Sequence, residues 1–317
     1  MSGTKVKEQL RPLLKRLLSS VLPRSAQQPR PAWREWGIGI YQGSTPFSLA
    51  PAPNVENPVL TRRNVSDLSA RFVADPFMLR RANTWYMFFE VMDRKTRNGS
   101  IGLAVSENGR QWKYQQIVLQ ESFHLSYPYV FEWNGEHYML PESYQANSIC
   151  LYKALAFPTR WSPCATLLSG HFYADPSVFQ FCGKWWLFVE TSAEQKSDTL
   201  RLYYADDLMG PWLEHPASPI VNQDERMARP AGRVLVLEDR VIRFAQDCFP
   251  AYGTQVRAFE ITKLTPTSYR EREVAQSPIL GPSGRGWNAS GMHHIDPHRL
   301  DTGQWLACVD GWLSVEG

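Results

Sequence analysis

Carboxylic acids recur in this sequence at the two ends of a repeated pair of extended segments. Asp75, Asp175 and Asp296 each stand before a proline where the first segment opens. The aromatic-rich second segments end on Glu90, Glu142, Glu190, Asp247 and Asp310. Two carboxyl groups in different surroundings can take different pKa values and divide the roles of acid and base. Such a pair is what cleavage of a glycosidic bond requires.

These acids belong to five copies of one pattern. An opening residue begins an extended segment, a turn follows, and an aromatic-rich segment returns, as in A-D-P-F-M-L…W-Y-M-F-F-E over residues 74–90. The copies open, about fifty residues apart, at Asp75, Tyr127, Asp175, Arg229 and Asp296. A repeat of this length is typical of a solenoid, a propeller or an array.

The first four copies continue with further alternating segments bounded by Gly, Asn or Pro turns. Four-stranded units repeated radially make a β-propeller, so the sequence predicts an all-β fold with five blades over residues 35–317. The fifth copy stops a few residues after Asp310. The strand-like W-G-I-G-I-Y at residues 36–41 is predicted to complete that blade and close the ring.

The repeat also predicts where the acids lie. An antiparallel turn returns each strand pair to the edge where it began, so the opening and closing residues of one copy should meet at one rim. That rim should hold Asp75 beside Glu90, Asp175 beside Glu190, Asp296 beside Asp310, and also Glu142, Arg229, Asp247 and His293 or His294. A concave, aromatic-walled cavity with convergent polar groups favours a small-molecule site. Any single acid could instead serve the blades by bonding their backbones.

Residues 1–34 differ in charge from the rest of the chain. They carry eight Lys or Arg and one acid, a formal +7, which leaves +3 minus +7, or −4, for residues 35–317. Their apolar residues fall on one helical face, which predicts a basic amphipathic helix followed by a Pro-rich linker. Over residues 1–22 this helix either contacts an anionic membrane peripherally or packs on protein. Lys15 and Arg16 interrupt it too early for a membrane span, and it lacks the apolar run of a secretory signal.

Other signals narrow the function. Five cysteines without paired spacing predict neither a disulfide framework nor a zinc site, and they fit a reducing, cytoplasmic compartment. No Gly-rich phosphate loop or nucleophile elbow is present, and no cofactor is expected. The spacing of H-H-I-D at residues 293–296 does not favour a metal site. A slightly acidic propeller is not expected to bind nucleic acid.

Several strings resemble known carbohydrate-active propellers. A-D-P-F-M-L, A-D-P-S-V-F and Y-Y-A-D-D-L-M-G-P-W, at residues 74–79, 174–179 and 203–212, resemble glycoside hydrolase family 43 and its clan. The order of motifs over residues 36–312 is more similar to the amino-terminal domain of glucosamine inositolphosphorylceramide transferase, which occurs attached to glycosyltransferase modules. The resemblance implies a sugar or sugar-lipid substrate. It is compatible with a nucleotide-sugar donor and a partner glycosyltransferase.

The resemblance also implies roles for residues. The hydrolase family's general base corresponds to Asp75, and the aspartate that orients and tunes its acid corresponds to Asp175. The general acid itself corresponds to the stretch Ala228-Arg229-Pro230, so that acid is missing here. Glu142 and Glu190 complete the catalytic candidates. The candidates for substrate binding are Glu90, Arg229, Arg233, Asp247, His294, Asp296 and Asp310.

The missing acid favours glycosyl transfer over hydrolysis. A phosphate leaving group departs as an anion, needs little protonation, and could be stabilised by Arg229 or Arg233. Three alternatives stay open. They are a family 43-like hydrolase, a non-catalytic sugar-binding propeller that serves a partner glycosyltransferase, and a protein-interaction propeller without a sugar ligand.

Overall fold

The computed structural model describes residues 33–192, 194–238 and 240–315. They form five antiparallel sheets arranged as the blades of a propeller. The predicted all-β, five-bladed fold is therefore confirmed. Helical structure in the described residues is limited to three 3₁₀ turns, at Arg62–Asn64, Tyr144–Ala146 and Gly286–Asn288.

Blades 1 to 4 are each built from consecutive strands. Blade 1 contains β4 (Ala70–Arg81), β5 (Thr84–Asp93), β6 (Gly99–Ser106) and β7 (Lys113–Leu119). Blade 2 contains β8 (Ser126–Trp133), β9 (Glu136–Glu142), β10 (Ser148–Ala156) and β11 (Arg160–Ser169). Blade 3 contains β12 (Ala174–Phe181), β13 (Lys184–Glu190), β14 (Thr199–Ala205), β15 (Leu213–Glu214) and β16 (Val221–Asn222). Blade 4 contains β17 (Leu235–Leu237), β18 (Arg240–Asp247), β19 (Gln255–Thr265) and β20 (Ser268–Glu273).

Blade 5 joins the two ends of the described chain. Its strands are β1 (Trp33–Thr45), β2 (Ser48–Pro51), β3 (Leu60–Thr61), β21 (Ile295–Arg299) and β22 (Trp305–Val315). The order β2-β1-β22-β21 places the amino-terminal strand against the last one, which confirms the predicted closure. Closure leaves the ring without an open blade edge between its first and last repeats.

The hairpins that begin the blades follow from local turn chemistry. In blade 2 the two-residue turn is Asn134-Gly135, with φ of 51° and 74°, and in blade 3 it is Cys182-Gly183, with φ of 49° and 73°. Positive φ at both central residues gives the turn whose twist matches that of the flanking strands. The turns therefore fix the pairing register, and the register decides which side chains face the centre.

The opening residues of blades 1 to 3 share one backbone state. Asp75, Tyr127 and Asp175 have φ of 52°, 46° and 51°, and a register irregularity follows each pairing of the residue before them. A left-handed residue at such a bulge bends the strand and re-aims its side chain. Glu90, Glu142 and Glu190 then lie opposite the residues just before these openings. Acids from different blades are thereby brought to one end of the ring.

Tyr127 joins three blades below that end. Its hydroxyl lies 2.8 Å from Ser177 Oγ in blade 3, donates to the Gly232 carbonyl at 3.0 Å, and accepts from the Gly232 N–H at 2.7 Å. Its ring meets Phe77 of blade 1 edge-on at 4.8 Å. The Tyr127 hydroxyl is thus a buried polar group whose hydrogen bonds are satisfied.

The predicted amino-terminal helix and linker lie outside the described residues, and the boundary at residue 34 stays a prediction. Within the described part of the chain, no helix has the length and apolar character that crossing a membrane would need.

Candidate active site

A cavity of about 200 Å³ opens at the end of the ring where the acids converge. Blades 1, 2, 4 and 5 all contribute side chains to its wall. The lining residues are Arg34, Trp36, Phe72, Ala74, Asp75, Glu90, His124, Ser126, Glu142, Arg229, Tyr252 and His293. Four of the predicted site residues, Asp75, Glu90, Glu142 and Arg229, are therefore brought together.

Asp75 is held at the junction of blades 1 and 5. Its backbone N–H donates to Asp310 Oδ2 at 2.9 Å, and its Oδ1 lies 3.8 Å from a ring nitrogen of both His293 and His294. The residue is only 6% exposed. Burial raises the pKa of Asp75 to about 7, helped by the charges of Asp175 and Asp310 and opposed by His293. A carboxyl group with such a pKa can exchange a proton near neutral pH.

His293 and Asp310 form a buried pair beside Asp75. His293 Nδ1 lies 2.7 Å from Asp310 Oδ1, and the Trp36 ring covers the imidazole at 4.2 Å. Burial lowers the pKa of His293, but the Asp310 and Asp75 carboxylates outweigh it and the net pKa is raised. Burial likewise opposes ionisation of Asp310, and His293 reverses this so that the net pKa of Asp310 is lowered.

Arg229 connects blade 4 to Asp175 of blade 3 and Glu142 of blade 2. Its Nε donates to Asp175 Oδ2 at 2.7 Å, and its terminal nitrogen lies 3.2 Å from Glu142 Oε2. The Asp175 N–H also donates to Glu142 Oε2, at 2.9 Å. Burial raises the pKa of Asp175 to about 7, with Arg229 opposing the shift and Glu142 adding to it. The guanidinium is thus already paired and is not free for a phosphate group.

Glu90 faces the same cavity from blade 1. It is 5% exposed, and burial raises its pKa well above the ordinary value, with further increases from the charges of Asp75 and Glu142. Its Oε1 lies 3.8 Å from His124 Nε2. A carboxyl group with a raised pKa holds its proton to a higher pH than an ordinary one and can act as a general acid. The structure therefore offers an acid that the motif comparison did not.

Glu190 lies at the equivalent point of blade 3 but does not line the cavity. It has no exposed surface, its Oε1 accepts from the Ser192 N–H at 2.6 Å, and its Oε2 has no partner among the described residues. Burial raises the pKa of Glu190, although Arg229 opposes this. Contact with substrate is therefore not favoured for this candidate.

The predicted position of Asp247 is wrong. Gln246 pairs with Arg229 in blade 4, as Glu90 pairs with Ala74 in blade 1, so Gln246 is the closing residue. Its side chain donates to Asp175 Oδ2 at 2.8 Å. Asp247 instead accepts from Arg257 at 2.8 Å, away from the cavity. Adjacent strand residues face opposite sides, so an offset of one reverses the side chain.

The predicted pairing of Asp296 with Asp310 is also wrong. Arg299 pairs with Trp305 as Arg80 pairs with Trp85, and counting back five residues from each arginine gives His294 and Asp75. His294, not Asp296, therefore has the position of Asp75. It is fully buried and neither ring nitrogen has a hydrogen-bond partner among the described residues, and burial lowers its pKa to about 4.

Asp296 and Arg233 form a structural pair deeper in the ring. Arg233 Nε donates to Asp296 Oδ1 at 2.6 Å, and Asp296 Oδ2 accepts from the Met78 N–H of blade 1 at 2.6 Å. A further terminal nitrogen of Arg233 donates to the carbonyls of Met78 and Val130. Neither residue lines the cavity, so the predicted roles of both in substrate binding are not supported by their placement.

Asp75, His293 and Asp310 could together hold a cation, because their ligand atoms lie within 4.8 Å of one another. In the structure the three residues are joined by hydrogen bonds, because Asp310 contacts both His293 Nδ1 and the backbone N–H of Asp75.

The fold is a five-bladed propeller similar to those of solved glycoside hydrolases, with an acid-lined cavity at one end of the ring. The catalytic domain of the GH62 α-L-arabinofuranosidase of Coprinopsis cinerea has a TM-score of 0.58 at 11% identity, covering 89% of this chain and 98% of that one. The α-L-arabinanase of Cellvibrio cellulosa has a TM-score of 0.55 at 17% identity, covering 77% and 90%. At such identities the likeness shows the fold alone.

Residues 32–312 match the family described as glucosamine inositolphosphorylceramide transferase 1, N-terminal, and the chain belongs to that family. It is 36% identical over 296 residues to the rice (Oryza sativa subsp. japonica) protein named glucosamine inositolphosphorylceramide transferase 1. The Arabidopsis thaliana protein of that name is 34% identical. The alignments cover 87% of this chain and about 40% of each relative, so this chain spans less than half of their length.

Proposed function

We propose that the central cavity binds one sugar residue and that Asp75 and Glu90 act on its glycosidic bond. The observation that carries the proposal is the placement of two buried carboxyl groups with raised pKa values in one cavity of about 200 Å³. The volume is below the range of drug-sized sites and suits a single small polar ring. Phe72, Trp36 and Tyr252 give the wall aromatic surface, which suits the apolar face of a sugar.

The two carboxyl groups would divide the proton transfers. Asp75, in its ionised form, takes the proton of an acceptor hydroxyl while the acceptor oxygen forms a bond to the anomeric carbon. The bond between that carbon and the leaving oxygen breaks, and Glu90 gives its proton to the leaving oxygen. One proton is taken up and one is released, so the charge balances. With water as acceptor the same step is hydrolysis.

Transfer to a sugar or lipid-linked hydroxyl is the version we favour. The rice and Arabidopsis relatives bear the name glucosamine inositolphosphorylceramide transferase 1. By the resemblance, the stretch that corresponds to the hydrolase acid carries Arg229 in place of an acid. Because Glu90 can protonate the leaving oxygen, transfer does not require a phosphate leaving group that departs as an anion. The paired state of Arg229 and the burial of Arg233 also weaken the case for phosphate stabilisation by either residue.

Arg229, Asp175 and Glu142 would organise the cavity rather than react. The guanidinium offsets the charge of two acids that would otherwise repel each other beside Asp75 and Glu90. It thereby keeps the far wall of the cavity fixed while the reacting pair exchanges protons.

A non-catalytic sugar-binding role is the second candidate. It is favoured by the same pairing of Arg229, which neutralises part of the acidic wall. Sugar recognition would then serve a catalytic partner, a glycosyltransferase supplied on another chain or another domain.

The test combines binding and turnover. Purified protein is titrated with monosaccharides and nucleotide sugars, and product is followed with lipid and sugar acceptors. Asp75→Asn and Glu90→Gln should each lower turnover at least a hundredfold while sugar binding persists. Asp301→Asn, whose side chain is 88% exposed, is the control that should keep activity. Full activity in both cavity variants would refute the mechanism, and binding without any turnover in the wild type would favour the second candidate.

Membrane contact through residues 1–22 stays part of the proposal. It rests on the formal charge of +7 over residues 1–34 and on the apolar face of the predicted helix. Deletion of residues 1–30 should abolish sedimentation with anionic vesicles. Unchanged sedimentation would leave packing on protein as the account of this segment.

A further inference from the structure

His124 stands between blades 1 and 2 in a fixed orientation. Its ring Nδ1 accepts a hydrogen bond of 2.9 Å from the Gly99 N–H, and the backbone N–H of His124 donates to Gln145 Oε1 at 2.9 Å. The following residue is held as well, because the Leu125 N–H donates to the Gly99 carbonyl at 3.1 Å. The imidazole is therefore attached to blade 1 through a backbone donor that no side-chain motion can remove.

That donor settles where the proton of His124 resides. A ring nitrogen that accepts from an N–H cannot itself carry a hydrogen, so a neutral His124 has its proton on Nε2. Nε2 is the nitrogen that lies 3.8 Å from Glu90 Oε1. Burial, with a contribution from Arg229, lowers the pKa of His124 to about 4, so the ring stays neutral through the physiological range.

We infer that His124 is a positioning residue for Glu90, whose Nε2–H is held ready to stabilise the carboxylate formed when Glu90 gives up its proton. The inference rests on the proposed function for its catalytic meaning. The contact of 3.8 Å is longer than a hydrogen bond, and it would shorten as negative charge develops on Glu90. No proton leaves His124 in this step, and only the hydrogen bond strengthens.

The surroundings of Glu90 make such a donor necessary. The charged groups with the largest effect on the pKa of Glu90 are acidic, namely Asp75, Glu142, Asp175 and Asp310. Each of them opposes ionisation of Glu90, and burial opposes it further. A neutral N–H donor at this point can stabilise the carboxylate without adding a full positive charge that would deprotonate Glu90 permanently.

Gly99 explains the close fit of this arrangement. A Cβ at Gly99 would lie 2.2 Å from the Leu125 carbonyl oxygen, 2.8 Å from His124 Cε1 and 3.0 Å from Glu90 Oε1. The absence of a side chain at this position lets the backbone of blade 1 approach both the imidazole and the carboxyl group.

Two substitutions separate the two ends of the imidazole. The amide oxygen of His124→Asn can still accept from Gly99, but no donor then reaches Glu90. The amide nitrogen of His124→Gln can still reach Glu90, but the acceptor for Gly99 is lost. If His124 has a purely structural role, His124→Gln should lose more stability and more turnover than His124→Asn. If His124 positions Glu90, His124→Asn should change the titration of Glu90 and the turnover, and His124→Gln should mainly lose stability.

The experiment uses the full chain labelled for NMR at histidine nitrogens and glutamate carboxyl carbons. We expect the wild type to show the Nε2–H tautomer of His124 from pH 5 to 8. In His124→Asn the pKa of Glu90 should rise by about one unit or more, and kcat should fall about ten- to a hundredfold with KM little changed. In His124→Gln the Glu90 titration should stay close to that of the wild type while thermal stability falls.

Either of two results would overturn the inference. One is a proton on Nδ1 of His124, and the other is an unchanged Glu90 titration in a folded His124→Asn variant. The proposed function fails by a different result, full turnover in Glu90→Gln, which would leave the coupling of His124 to Glu90 measurable by NMR. The two failures are therefore distinguishable.

Discussion

Asp310 Oδ2 accepts a hydrogen bond of 2.9 Å from the backbone N–H of Asp75, a residue 235 positions earlier in the chain. The same relation recurs where Glu142 Oε2 accepts from the Asp175 N–H at 2.9 Å. In both cases the acid that closes one blade holds the opening backbone of the next. Between Asp310 and Asp75 this bond also spans the closure of the ring, so closure and the placement of the proposed base depend on one carboxylate.

Asp310→Asn should weaken closure and change the titration of His293. Three donors point at the Asp310 oxygens, the N–H of Asp75 and two nitrogens of His293, so an amide must turn its own donor toward one of them. We expect the free energy of unfolding to fall by about 1–3 kcal/mol. The pKa of His293 should fall too, because the Asp310 carboxylate is the main group that raises it. Urea unfolding and histidine NMR measure the two effects. An unchanged His293 pKa would show that the Asp310 carboxylate is not the group that raises it.

Arg229→Met should expose the repulsion between Asp175 and Glu142. Removing the buried cation leaves two acids near each other without a compensating positive charge, which costs about 3–5 kcal/mol at neutral pH. The loss should shrink at pH 5, below the raised pKa of about 7 at which Asp175 takes up a proton. Arg226→Met is the matched control, because the Arg226 guanidinium lies over the exposed Phe249 ring at 4.3 Å and should contribute at most about 1 kcal/mol. Equal losses in the two variants would refute the role of Arg229.

The raised pKa of Asp75 predicts how stability depends on pH. The unfolded chain loses this proton near the ordinary value of 3.8, and the folded protein keeps it until about pH 7. Between these values the folded state binds more protons, so the free energy of unfolding falls as pH rises. Asp75→Asn removes this contribution. The variant should therefore gain on the wild type as pH rises from 4 to 7, by up to about 1.4 kcal/mol per pH unit.

Urea unfolding of both proteins at pH 5, 6 and 7 measures that gain. Asp301→Asn, exposed and away from the cavity, should differ from the wild type by the same amount at each pH. A difference for Asp75→Asn that does not change with pH would mean that Asp75 is ionised in the folded protein throughout this range.

The shape of the ring could be predicted from the sequence because its determinants are local. Turn residues such as Asn134 and Gly135 and the alternation of apolar residues recur in each copy and act on the segment that contains them. The closure by residues 36–41 could be predicted too, because the fifth copy is short of strands. Asp75, Glu90, Glu142 and Arg229 then followed from the rule that hairpins return to the rim where they begin.

The remaining site residues could not be placed in this way because side-chain direction depends on register. Between Ala231 and Leu235 the pairing of blade 4 shifts, so Gln246 rather than Asp247 reaches the centre. In blade 5 the Asp-Pro motif lies two residues further along the strand than in blade 1, and Asp296 therefore lies about 6.6 Å deeper along the strand than His294. His124 lies in a connection between blades, where no repeat indicates its position.

Gly232→Ala should be among the most destabilising single substitutions in the ring. Gly232 has a φ of 137°, and a Cβ there would lie 1.7 Å from the Ile295 carbonyl oxygen, a backbone atom that cannot move without separating blades 4 and 5. The shift would also disturb the bonds of its N–H and carbonyl to the Tyr127 hydroxyl. We expect the free energy of unfolding, measured in urea, to fall by more than about 4 kcal/mol.

Gly135→Ala is the matched control, since its φ of 74° is also positive but a Cβ there meets nothing within 4 Å. That control should cost about 1–2 kcal/mol from backbone strain alone. Similar losses in the two variants would show that the approach of Gly232 to Ile295 does not hold the blades together.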